Sequence, residues 1–181
     1  MHISHINKLY EWRAHREIGE HFLDWIASHM GTPYEEIWDL YDRADWLVWL
    51  CHKLGVSDTL IHQAACEIVR SLLHLAPDYS VALLEVVTIA EDETAKSKDL
   101  MLARRTAGEI YAKTAKDYRV IPAALAHAAA GVTYHTYDGS YMAIFRCNDA
   151  AYATHAGRVG CKALADIVRA RIPRPDWPKE R

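Results

Sequence analysis

Apolar residues in this chain recur at steps of three and four rather than two, and that periodicity restricts the fold more than any other feature. The clearest case follows Ser57-Asp58-Thr59, where Leu60, Ile61, Ala64, Ala65, Ile68, Val69, Leu72 and Leu73 form two adjacent columns at four-residue spacing. Ser57 to Thr59 offers an N-cap, and Ala76-Pro77-Asp78 ends the run. No segment has the alternation or β-branched enrichment of a sheet strand, so the chain reads as all-α, with about seven antiparallel helices stacked as a bundle or short solenoid. An Asp-Gly turn signal within Tyr137-Asp-Gly-Ser-Tyr141 allows a small hairpin near 134–145.

In chain order, residues 4–30 are helix-compatible and free of proline, and Gly31 ends them. Thr32-Pro-Tyr-Glu35 spells a capping box for a second helix. That helix runs into the densest stretch of the chain, residues 38–51, which hold three tryptophans, a tyrosine and three leucines. A break is expected inside it, with Asp45 as the N-cap of a helix from Trp46 to Gly55. Further helices are expected over 80–90, 100–115 and 122–134. Asn148-Asp149 would cap a final helix whose Ala150, Ala153, Ala156, Gly157, Gly160 and Ala163 let a neighbour approach closely. The organisation that follows is one helical domain over 1–172 and an extended, proline-containing tail over 173–181, anchored only by Trp177.

A chain of 181 residues buries enough surface to do without staples, and its four scattered cysteines form no C-x-x-C pair. They read as reduced thiols, which points to the cytoplasm. Neither a signal-like N-terminus nor a run approaching the roughly 20 apolar residues of a membrane span is present. With a net charge of -3, general attraction to nucleic acid or anionic lipid is disfavoured.

Chemistry-bearing patterns are weak. Among eleven histidines, His2-x-x-His5 and His62-x-x-x-Cys66 have ligand-like spacing, but no third ligand is marked, so no metal is expected. His62 and Cys66 read instead as polar residues at the helix boundary. Cys51 and His52 are neighbours in sequence, yet adjacent helical residues do not face one another. No glycine-rich phosphate loop occurs. Asp42 and Asp45 are a pair of carboxylates at i,i+3, for which a capping role is the simpler account. Trp46 and Trp49 share a helical face and read as core. Glu91, Asp92, Glu93 and Trp177 are the candidate partner-binding residues, the acidic cluster suiting a basic partner. The basic residues Arg169, Arg171, Arg174, Lys179 and Arg181 read as a solvated terminus.

The motif Asp42-Arg-Ala-Asp45-Trp46-Leu47-Val-Trp49-Leu50 resembles the signature of an immunity protein-like family of small all-helical proteins, found beside polymorphic toxins and in phage genomes. The resemblance implies an all-α fold and a stoichiometric, non-catalytic role. In that role the protein would bind a toxin or, in a phage setting, a defence effector, and mask its surface. No catalytic residue and no cofactor are carried over. A small metal-dependent or His/Asp enzyme and a self-assembling structural protein stand as alternatives, and homo-oligomerisation is left open.

Overall fold

The computed structural model describes residues 9, 11, 12, 20–154 and 157–177. Among them nine α-helices and no strand are found: α1 (Glu20–Ser28), α2 (Tyr34–Leu40), α3 (Ala44–Lys53), α4 (Asp58–Leu72), α5 (Ser80–Glu91), α6 (Ser97–Lys116), α7 (Val120–Val132), α8 (Tyr137–Tyr152) and α9 (Gly157–Arg171). The all-α class holds, while the count of seven gives way to nine. One helix that was not expected is α8, which runs through the Asp138-Gly139 segment where a hairpin was expected. Thr136 caps it by accepting from the Gly139 amide.

Local signals account for several boundaries. Ser57 accepts from Leu60 N at 3.4 Å and starts α4. At the end of α3, Gly55 adopts φ 81 while its amide bonds His52 O and the Val56 amide bonds Cys51 O, which is a Schellman ending. The break within the aromatic block falls at 41–43. Other signals mislead. Pro33 is the N-cap of α2 and no side chain caps it, so the Thr32–Glu35 box is not formed. Arg43, not Asp45, is the N-cap of α3. Asn148 and Asp149 lie inside α8 and do not cap the last helix. Apart from residues 9, 11 and 12, the first half of the expected helix over 4–30, with His5, lies outside the described residues, as do His2, Lys179 and Arg181.

Apart from half-buried Leu60, the two columns of α4 are buried, as the periodicity requires, and α4 packs against α3, α5, α7, α8 and α9. Helix α7 is buried almost all round, in keeping with its alanine-rich sequence. It meets α8 at Gly131 and Gly139. A Cβ on Gly139 would lie 2.6 Å from the Gly131 carbonyl oxygen, and one on Gly131 would lie 2.9 Å from that of Gly139. At the other end of the core, Phe22 packs edge-on against Trp46 and Trp49 and stacks on Tyr41. Arg169 of α9 donates to the Trp38 and Tyr41 carbonyls, which ties the last helix to the C-terminus of α2. No described helix is long and apolar enough to cross a membrane.

Candidate functional site

The family-like motif is interior. Trp46, Leu47, Trp49 and Leu50 are all buried, and Asp42 sits in the connector before α3. Asp45 is only 1% exposed. Its carboxylate accepts both Arg43 Nε (3.0 Å) and Arg43 Nη2 (2.8 Å), and also Asn148 Nδ2 at 3.0 Å. The Arg43 guanidinium in turn lies 5.4 Å from the Trp46 ring centroid. This is a buried charge held by paired donors, the arrangement that burial demands. The Asp45 carboxylate is therefore directed into the core and away from solvent.

Two members of the acidic cluster are engaged within the chain. Glu91 pairs with Arg70, and Asp92 Oδ1 accepts the Thr94 amide (2.8 Å) and hydroxyl (2.6 Å), closing the turn after α5. Those two bonds hold the Asp92 carboxyl below its usual range. Glu93 is exposed. Trp177 turns inward, its ring 5.6 Å from that of Trp12 and 5.2 Å from that of Tyr34. Of the basic tail, Arg169 holds α2 and Arg171 pairs with Glu67.

His62 and Cys66 are buried, contrary to the helix-boundary reading. His62 donates Nε2–H to the Ala90 carbonyl at 2.9 Å, leaving Nδ1 to accept from Ser140 Oγ at 3.5 Å. One side chain thus joins α4, α5 and α8. Burial, reinforced by His135, lowers the His62 pKa against the opposing pull of the Ala90 bond and of Glu91 and Glu93. Burial pushes the thiols of Cys51 and Cys66 up to about 12 and raises those of Cys147 and Cys161, which disfavours the thiolate at all four. Among the described residues, no group of three or more His, Cys, Asp or Glu is placed to hold a metal ion.

The surface that sequence reasoning missed lies where α6 ends, α7 begins and α8 passes alongside. A groove of about 300 Å³ is lined there by Tyr111, Tyr118, Val120, Ala123, His127 and Arg146, among others. Its edge is set by the ending of α6. The Arg119 amide bonds Thr114 O and the Tyr118 amide bonds Ala115 O, a Schellman pattern that places Tyr118 at φ 54, where glycine is the usual occupant. Tyr118 is 92% exposed, so burial does not offset that strain. The groove is also lined by Arg146, which pairs with Asp149 through Nη1 and whose Nε is buried with no hydrogen-bond partner among the described residues. Beside it, burial and the Arg146 charge lower the His127 pKa and favour a neutral ring, 5.3 Å from that of Tyr111. The one available sequence signal was a helix end, Asp117-Tyr-Arg119, that lacks a glycine.

Comparison of the chain with protein-family models, curated proteins and solved structures gives no match. The functional reading therefore stands on geometry and on the motif resemblance.

Proposed function

We propose that this is a non-catalytic helical binding protein, working in the cytoplasm, that neutralises a protein partner by masking its surface. The partner class is a toxin or, for a phage-encoded chain, a defence effector, as the immunity-like motif suggests. The observation that carries the binding reading is Tyr118, an aromatic residue held exposed in a left-handed backbone conformation at the rim of a groove lined by Tyr111, Val120 and Arg146. Strained backbone persists where function uses it, and tyrosine and arginine are enriched where proteins meet. The four buried, free thiols suit a reducing compartment.

The test exploits the strain. Tyr118→Gly relieves the left-handed conformation and is expected to stabilise the fold by roughly 1 kcal/mol. The same change removes the aromatic contact and is expected to weaken a stoichiometric complex by about tenfold or more. Co-purification of the tagged chain from its host supplies the partner, and titration calorimetry with that partner compares wild type, Tyr118→Gly and Val120→Ala. Recovery of no partner, or equal affinity for all three chains, would sink the reading.

A further inference from the structure

A second cavity, about 450 Å³, is separate from the α6–α8 groove and is lined by His62, Gln63, Glu67, Arg70, Glu91 and Arg171. We propose that it binds a small zwitterion, a free α-amino acid or dipeptide, with the ligand carboxylate on the arginines and its ammonium on the glutamates.

Three helices build it. Gln63, Glu67 and Arg70 fall on one face of α4 at i, i+4 and i+7, Glu91 closes α5, and Arg171 closes α9. The charges form two pairs across elements, Arg70 with Glu91 and Arg171 with Glu67. The volume is that of a small-molecule site. Each of the four charged side chains is about a third to a half exposed. Exposed pairs of this kind hold weakly and exchange readily for a better-placed partner.

The balance of sign selects the ligand. An anion such as a nucleotide gains the two arginines but faces Glu67 and Glu91, and a polyamine meets the reverse conflict. A molecule carrying one group of each sign satisfies both, and arginine binds its carboxylate bidentately. His62 also lines the cavity, with its Nε2–H committed to the Ala90 carbonyl. Gln63 can donate to and accept from the remainder of the ligand.

The experiment is an NMR titration of the full chain with L-glutamine, L-arginine and glycylglycine to millimolar concentration. A saturable shift of the His62 and Gln63 signals is expected, weaker by about tenfold or more for the same compounds with N-acetyl and amide blocks. Glu67→Gln and Arg171→Gln should each weaken binding by a similar factor, with thermal melts showing that both variants fold. Absence of a saturable shift, equal response to the blocked compounds, or unchanged affinity in folded variants would each overturn the proposal.

Discussion

Asn148 on α8 donates Nδ2 to Asp45 Oδ1 at 3.0 Å, joining positions 103 residues apart inside the core. With Arg43 on both carboxylate oxygens, Asp45 is the buried charge on which the α3–α8 contact closes. The two ends of the pair differ in exposure: the Arg43 side chain is 32% exposed and that of Asp45 is 2% exposed.

That asymmetry predicts an order. Arg43→Ala strands a buried carboxylate with a single amide donor and is expected to cost about 3–5 kcal/mol. Asp45→Asn releases a guanidinium that already reaches water, so a smaller loss of roughly 1–3 kcal/mol is expected. Urea unfolding of the two variants checks the order, and the reverse order would show that the pair does not behave as a buried carboxylate.

Gly139 tests the helix crossing. If it were only a helical glycine, Gly139→Ala would stabilise α8 by up to about 1 kcal/mol. The added methyl would instead approach the Gly131 carbonyl at 2.6 Å, and overpacking of this kind costs about 1–3 kcal/mol. A fall in melting temperature is expected, and a rise would refute the close approach.

His62 makes stability depend on pH. Its folded-state pKa is lowered from 6.5, chiefly by burial, so above that pH both folded and unfolded chains carry it neutral. As pH falls through 6.5 the unfolded chain takes up a proton that the folded chain resists, and stability declines. A falling melting temperature between about pH 7 and pH 5 is expected, with a shallower slope in His62→Gln. Some slope should remain, because the pKa of His127 is lowered in the same direction. Equal slopes in wild type and His62→Gln would remove His62 from the account.

The thiols offer a direct check on packing. Cys51, Cys66, Cys147 and Cys161 are all buried and free. Ellman's reagent should leave the native chain unmodified at neutral pH and label all four sites once denaturant is added. Fast labelling of any one in the native state would place that residue at the surface.

What the sequence by itself determined is what rests on neighbours three or four residues away: the helical class, the two buried columns of α4, the Ser57 cap, the break inside the aromatic block and the inward face of Trp46 and Trp49. Those features follow from the 3.6-residue period and local hydrogen bonds. Tertiary structure alone decided the rest, because the partner lies far along the chain. Asp45 looked like a cap and is a buried ion-pair centre answered by Asn148. His62 looked like a boundary residue and bonds a carbonyl 28 positions away. Gly139 looked like a turn residue and is a contact between two helices. Tyr118 carried no distinguishing local signal beyond a missing glycine, yet the ending of α6 places it, exposed and strained, at the rim of the groove.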